Sequence, residues 1–220
     1  MKVKLLLLIL ACFIFSIFTL FSYQVAKESF TQIDFDTTVK LQDRIPRRWD
    51  QIFSIFSFLG SAEATIFICG IFAVISLIRL RILSIVGWGL ILPATIIEIF
   101  GKLFLLHPGP PKFFHRGLIA TQLPSFYVHT DFSYPSGHMT RTAFVTTILI
   151  ILILTGRFSF FLKSLLSLAL ITFTSLMFMT RIYLGEHWLT DVFGGLLLGL
   201  SFGLLASVLI TSFKGKRLLH

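Results

Sequence analysis

Long runs of mainly apolar residues alternate along the chain with short segments that carry most of the charge. Six such runs are present: 5–26, 52–78, 82–106, 137–155, 164–183 and 192–213. Glu63 interrupts the second run, and Glu98 and Lys102 lie near the end of the third. A helix needs about 20 apolar residues to cross the hydrocarbon core of a bilayer. The pattern therefore predicts six transmembrane helices.

Composition supports this prediction. The chain is 55% hydrophobic and only 13% charged, whereas soluble domains are about 45–50% apolar and about 25% charged. This excludes a disordered chain, which cannot carry so much apolar surface. A disulfide scaffold is also excluded, because Cys12 and Cys69 both lie inside apolar runs. We expect an all-α integral membrane bundle that forms one domain over 1–220.

The first run has a competing interpretation. Lys2 and Lys4 precede it, as basic residues precede the apolar part of a secretory signal peptide. However, the run continues to residue 26, which is longer than a signal core and sufficient to span a bilayer. We favour an uncleaved first helix.

The net charge of +9 could suggest a nucleic-acid partner, but its distribution argues against one. Basic residues lie singly or in pairs at the ends of apolar runs, which is typical of membrane topology. With six spans, both termini share a side with the turns at 79–81 and 157–163. That side carries nine basic residues and no acidic one: Lys2, Lys4, Arg79, Arg81, Arg157, Lys163, Lys214, Lys216 and Arg217. We expect it to face the cytoplasm from the cell membrane, so that 27–51, 107–136 and 184–190 face outward.

One outward segment suggests an anion site. Ser136 and Gly137 open the fourth run, and a helix start offers free N–H groups to an anion, while glycine permits close approach. The alternative is that Ser136 only caps the helix. His138 follows directly, and a titratable group beside bound phosphate can protonate a leaving group.

A second outward segment contains His187 and Asp191, four residues apart. On one helical face, Asp191 would hold one imidazole nitrogen and leave the other free to attack. Two other interpretations are an interfacial cap with Trp188 in the aromatic belt, and a pair of metal ligands. We disfavour a metal because no cysteine or nearby carboxylate completes a zinc set.

Other polar residues lie near the ends of apolar runs. Arg181 and Lys102 either extend towards lipid headgroups or clamp a phosphate. Glu98 precedes Lys102 by four residues, and an intramembrane carboxylate needs a partner, so we predict that they pair. Glu63 has no evident local partner, and we expect a structural role for it. The glycines at 195, 199 and 203 predict an internal close-packing face.

These segments resemble the three-part signature of the type 2 phosphatidic acid phosphatase (PAP2) superfamily, which also includes vanadium haloperoxidases and bacterial acid phosphatases. The signature reads Lys-x6-Arg-Pro, then Pro-Ser-Gly-His, then Ser-Arg-x5-His-x3-Asp. Residues 135–138 match completely, and residues 180–191 match with Thr180 in place of serine. Residues 102–110 match except that Gly109 stands where arginine is expected. The motif-bearing part is 98–191.

The resemblance implies a PAP2/haloperoxidase-like helical fold and a phosphatase that needs neither a metal nor another cofactor. His187 would attack phosphorus to form a phosphohistidine, Asp191 would orient it, and His138 would protonate the leaving oxygen. The phosphoryl oxygens would be bound by four groups: Lys102, Ser136, the N–H of Gly137, and Arg181.

The missing arginine needs a replacement, because glycine cannot supply a guanidinium. Arg141 lies three residues after His138 on the same helical face, so it is the first candidate for a phosphate ligand. Arg116 is the second.

The resemblance also implies a membrane lipid phosphate as substrate. For a bacterial protein, undecaprenyl pyrophosphate is the leading candidate, since the family commonly recycles that carrier on the outer face of the membrane. Phosphatidic acid and phosphatidylglycerol phosphate come next. A lipid phosphotransferase would use the same residues, and a headgroup-binding or transport protein is the alternative that is not an enzyme.

Overall fold

The computed structural model describes residues 2–118 and 131–211, and helices dominate that part of the chain. Its α-helices are α1 (Lys2–Ala26), α2 (Thr31–Arg44), α3 (Asp50–Phe58), α4 (Ala62–Ile78), α5 (Ile82–Gly89), α6 (Ile91–Phe104), α7 (Gly137–Thr155), α8 (Phe160–Tyr183) and α9 (Leu189–Ile210). Two short 3-10 helices, Arg47–Trp49 and Lys112–Phe114, accompany them. The only β-pairing among the described residues is one antiparallel bridge, between Pro108 and Phe132.

The predicted all-α fold is therefore confirmed, as are six membrane-spanning segments. They are Lys2–Ala26, Arg47–Ile78, Ile82–Phe104, Gly137–Thr155, Phe160–Tyr183 and Leu189–Ile210. The last two residues of the sixth predicted run, and the basic residues 214, 216 and 217 used for the orientation, lie outside the described residues.

The second span is present but is not one continuous helix. The second span consists of α3 and α4, which are separated at 59–61. Ser61 begins α4 because its hydroxyl accepts a hydrogen bond from the N–H of Ala64 at 3.2 Å, as an N-cap residue does. Glu63 lies in the first turn of α4, where the helix dipole favours a negative charge.

The third span is also divided, into α5 and α6. Pro93 has no N–H, so the carbonyl of Gly89 loses the partner that an uninterrupted helix would give it. The division follows from this one residue.

Two later helices start earlier than predicted. Helix α8 begins at Phe160 instead of Ser164, and α9 begins at Leu189 instead of Val192.

Helices α7 and α9 form the centre of the bundle. In the most apolar 18-residue stretch of each helix, 61% of the residues of α9 and 56% of those of α7 are buried, against 6% for α8. The glycines of α9 explain the close contact. A β-carbon at Gly195 would lie 2.4 Å from the carbonyl oxygen of Ser136, and one at Gly199 would lie 2.3 Å from that of Thr140. The predicted internal packing face is confirmed.

Candidate active site

The three sequence segments meet at one end of the bundle. Helix α6 ends shortly after Lys102, α7 begins at Gly137, and the turn between α8 and α9 carries His187. The N–H of Ser136 donates to the carbonyl oxygen of Asp191 at 2.9 Å. This backbone bond joins the start of α7 directly to the start of α9.

His187 and Asp191 form a buried pair. Nδ1 of His187 lies 3.4 Å from Oδ2 of Asp191, and the same oxygen accepts the N–H of Trp188 at 2.9 Å. The two side chains are 11% and 0% exposed. The carboxylate thus caps α9 and faces the imidazole, so the predicted arrangement is present. The backbone bond to Trp188 also explains why α9 begins earlier than expected.

The turn before His187 depends on Gly185. Its φ of 68° lies in the left-handed region, and a β-carbon there would lie 2.2 Å from the carbonyl oxygen of Phe114. Only glycine meets both conditions without strain. This turn places His187 between the end of α8 and the start of α9.

The environment keeps His187 uncharged. Burial lowers the pKa of its imidazole well below the ordinary value, and the positive charges of Arg181, Lys102 and Arg141 lower it further. A neutral imidazole has a free lone pair, which nucleophilic attack requires.

Arg181 is buried, with 2% exposure. Its guanidinium donates to the hydroxyl of Ser57 and to the carboxylate of Glu186. Within the part of the chain that the structure describes, its Nε has no hydrogen-bond partner. Because buried donors are normally paired, this nitrogen is a group to which an anion can bind.

Glu98 connects two other cations. Its Oε1 accepts from Lys102 at 2.9 Å, and its Oε2 accepts from Arg141 at 3.1 Å. The predicted Glu98–Lys102 pair is present. The contact of Arg141 with the same carboxylate was not predicted.

Gly137 is required by this ionic cluster. A β-carbon there would lie 2.1 Å from Oε1 of Glu98 and 2.7 Å from a terminal nitrogen of Arg141. The start of α7 thus lies directly against the carboxylate of Glu98 and the guanidinium of Arg141. We expected a bound anion to approach the backbone of Gly137 closely. In the structure, the carboxylate of Glu98 makes that close approach.

Two polar atoms at the start of α7 also lack partners among residues 2–118 and 131–211. They are Oγ of Ser136 and Nε2 of His138, and both are buried. Ser136 therefore begins the helix without a side-chain capping bond, contrary to the simple cap interpretation. His138 lies within electrostatic range of Arg181, Arg141 and His187.

Gly109 lies in a short backbone pairing. Its N–H donates to the carbonyl of Asp131 at 3.0 Å, and the N–H of Ser133 donates to the carbonyl of His107 at 3.0 Å. Arg116, the second candidate for the missing guanidinium, contacts the carbonyl of Ile45 and the ring of Tyr183. Of the two candidates, only Arg141 is near both histidines.

Sequence reasoning missed four residues that contact these groups: Ser57, Glu186, Asp34 and His107. Ser57 and Glu186 hold Arg181, as described above. Asp34 accepts two hydrogen bonds from Thr190, and Nε2 of His107 lies 3.7 Å from Oδ1 of Asp191. Glu186 had a detectable signal, since it is an acidic residue next to His187. Asp34 belongs to a segment distant in sequence, and its pairing depends on the fold.

The structure is an all-α membrane bundle in which two histidines, a carboxylate and three cations gather at one end. The family model of the PAP2 superfamily matches residues 80–214, which is more than half of the chain. The chain therefore belongs to the PAP2 superfamily, and the prediction of a phosphoric monoester hydrolase of this type is confirmed.

Two solved structures share the fold. A transmembrane PAP2-type phosphatidylglycerolphosphate phosphatase from Bacillus subtilis is 19% identical, with a TM-score of 0.71 over 89% of this chain and 93% of its own. LpxE from Aquifex aeolicus is 23% identical, with a TM-score of 0.55 over 79% of this chain and 94% of its own. No curated protein is significantly similar in sequence. These findings establish an integral membrane protein with a PAP2 fold, while the roles of the individual site residues stay predictions.

Proposed function

We propose that this protein removes phosphate from a membrane lipid through a phosphohistidine on His187. One observation carries the proposal: three sequence segments place His187, His138 and Asp191 in a single buried cluster with Lys102 and Arg181. Anion binding there is supported by buried atoms of Ser136, His138 and Arg181 that have no hydrogen-bond partner among the described residues.

In the first step, the ring nitrogen of His187 that does not face Asp191 attacks phosphorus. Asp191 faces Nδ1, so Nε2 is the nitrogen that forms the new bond. The bond from phosphorus to the leaving oxygen breaks, and His138 gives that oxygen a proton. In the second step, water attacks the phosphohistidine and His138 takes a proton from it. Inorganic phosphate leaves, and both histidines return to their starting states.

Charge on the phosphoryl oxygens grows as the transition state forms, so cations and N–H groups stabilise it most. Lys102, Arg181, the hydroxyl of Ser136 and the N–H of Gly137 are the proposed ligands. Arg141 takes the place of the guanidinium missing at Gly109. It lies at the start of α7, paired with Glu98, within electrostatic range of both histidines.

The location of the site suits a lipid. His187 lies between two spans, Phe160–Tyr183 and Leu189–Ile210, so a phosphate would bind where the helices leave the bilayer. The lipid tail then stays in the membrane. We propose that the protein lies in the cell membrane with both termini in the cytoplasm and the site facing outward. The reason is the excess of basic residues on the side of the membrane opposite the site.

Undecaprenyl pyrophosphate is our leading substrate, because the family resemblance favours this carrier for an outward site in a bacterial membrane. Phosphatidylglycerol phosphate is the second candidate, since a solved structure with this fold is a phosphatase named for that lipid. Phosphatidic acid completes the set. Hydrolysis of the first removes one phosphate from a pyrophosphate, whereas the other two are monoesters.

The test is phosphate release from each of these three lipids in detergent with EDTA. Wild type should release phosphate, and His187→Ala should release none. His115→Ala is the matched control, because His115 is exposed and contacts the carbonyl of Pro110. Phosphorus label trapped on wild type but not on His187→Ala would support the intermediate. Headgroup binding by folded wild type without release would instead indicate a binding or transport protein.

A further inference from the structure

Helix α2 has an unusual distribution of side chains. Its buried residues are Asp34, Thr38 and Gln42, which follow one another at intervals of four and so share a face. Ile33 and Phe35, by contrast, are 53% and 46% exposed. A surface helix normally buries its apolar face. The inverted pattern of α2 indicates that its inner face makes specific polar contacts.

Those contacts are made with the segment that carries His187. Oδ1 of Asp34 accepts the N–H of Thr190 at 2.8 Å, and Oδ2 accepts the hydroxyl of Thr190 at 2.7 Å. Asp34 and Thr190 are 2% and 3% exposed. Thr190 lies between His187 and Asp191 in the chain, so both bonds act on the turn that holds the pair.

The other end of the polar face fixes α2 itself. Nε2 of Gln42 donates to the carbonyls of Phe114 at 2.7 Å and Tyr183 at 2.9 Å. Tyr183 is the last residue of α8. Helix α2 is thus attached where α8 ends and where α9 begins, on either side of His187.

We propose that Asp34 is a positioning residue that holds the His187–Asp191 pair in register through its two hydrogen bonds to Thr190. This inference rests on the proposed function, because it takes His187 to be the nucleophile that Asp34 positions. Asp34 lies outside the residues matched by the family model. It does not touch the reacting atoms in this account, so its effect passes through the backbone of α9.

The geometric reason is the short distance along the chain between the Asp34–Thr190 contact and His187. Thr190 is three residues from His187 and adjacent to Asp191, and its N–H belongs to the first turn of α9, where N–H groups have no partner within the helix. Without the carboxylate, this buried turn loses two bonds and gains freedom to shift. A displacement of about 1 Å at reacting groups can lower a rate by about 100-fold.

The test compares Asp34→Ala and Thr190→Val in the lipid phosphatase assay. We expect kcat to fall at least about tenfold in each, with KM within about threefold of wild type, because alignment and not lipid binding is lost. The double variant should be no worse than Asp34→Ala alone, since Asp34→Ala already removes the hydroxyl bond that Thr190→Val removes. Thr190→Ser keeps the N–H and the hydroxyl, and should retain at least half of the activity.

Asp36→Ala is the matched control. Asp36 lies on the same helix, and its carboxylate accepts a bond from Gln32 of that helix. Asp36→Ala should have the kcat and KM of wild type. Inhibition by inorganic vanadate, which imitates five-coordinate phosphorus, should weaken in parallel with kcat in the Asp34 and Thr190 variants.

Folded Asp34→Ala with kcat within twofold of wild type would overturn the inference. If that variant does not fold, Thr190→Val decides by the same criterion. Hydrogen exchange over 187–192 gives a readout independent of turnover: it should be faster in both variants than in wild type and Asp36→Ala. Absence of phosphate release by wild type would refute the proposed function, whereas unchanged exchange would refute the contact's role.

Discussion

Replacing Glu98 by glutamine tests whether one buried carboxylate organises the phosphate ligands. The side chain is 5% exposed, and those of Lys102 and Arg141 are 12% and 13% exposed. Glutamine keeps the shape but has no charge and only one acceptor oxygen. One cation therefore loses its bond to this side chain, and both lose its negative charge.

The magnitude follows from these contacts. Each hydrogen bond between charged groups contributes about 1.5–3 kcal/mol, and breaking a buried ionic cluster by removing one partner costs about 3–5 kcal/mol. Because glutamine can still accept one bond, we expect the free energy of unfolding to fall by about 3 kcal/mol, the lower part of that range. With Lys102 and Arg141 released from their shared partner, kcat/KM should fall at least about tenfold, which corresponds to about 1.4 kcal/mol of transition-state stabilisation.

The assay is phosphate release together with thermal unfolding in the same detergent. Glu63→Gln is the matched control, since Glu63 is also a carboxylate in a membrane span but belongs to the first turn of α4. It should leave kcat/KM unchanged. Glu98→Gln with wild-type stability and activity would refute the reasoning. Increased activity would show that Glu98 competes with substrate phosphate for Lys102 and Arg141 instead of positioning them.

Three further predictions follow from the same geometry. Gly137→Ala should abolish phosphate release because its β-carbon would lie 2.1 Å from Oε1 of Glu98, whereas Gly70→Ala has nothing within 4 Å and should match wild type. In ¹⁵N NMR, the imidazole of His187 should show no protonation between pH 7.5 and pH 6, because its lowered pKa preserves the neutral form below the ordinary value of about 6.5; a midpoint near 6.5 would contradict this. Gly199→Val should lower the unfolding temperature by separating α7 from α9, and an unchanged temperature would exclude the close-packing argument.

The sequence was sufficient to predict the spans and their number, because hydrophobic length is a local property. The interruption at 59–61 had a local signal in Gly60 and the N-cap residue Ser61, but the apolar length of the whole run favoured one helix. Pro93 offered a local signal for the division between α5 and α6, since proline removes a helical hydrogen bond. The early start of α9 was harder to predict from sequence. It depends on the side chain of Asp191, which both accepts the N–H of Trp188 and contacts His187.

Contacts between site residues that lie close in sequence were predictable, whereas contacts between distant segments were not. Glu98 and Lys102 are four residues apart, so helical geometry alone predicted their pair. The contact of Glu98 with Arg141 joins residues 43 positions apart and requires α6 to pack against α7. Asp34 and Thr190 are separated by 156 positions, and no periodicity connects them.

Helix α2 shows what polarity alone leaves open in residues 27–51. A polar segment between apolar runs resembles a solvated loop, because the sequence does not reveal which polar side chains find buried partners. In the structure, Asp34 and Gln42 bind backbone groups on both sides of the His187 turn, while Ile33 remains exposed. Buried backbone groups at helix ends need partners, and α2 supplies them. A polar stripe at intervals of four beside apolar residues is therefore a sequence signal for a helix that completes a site, and the Asp34 and Thr190 variants test that interpretation here.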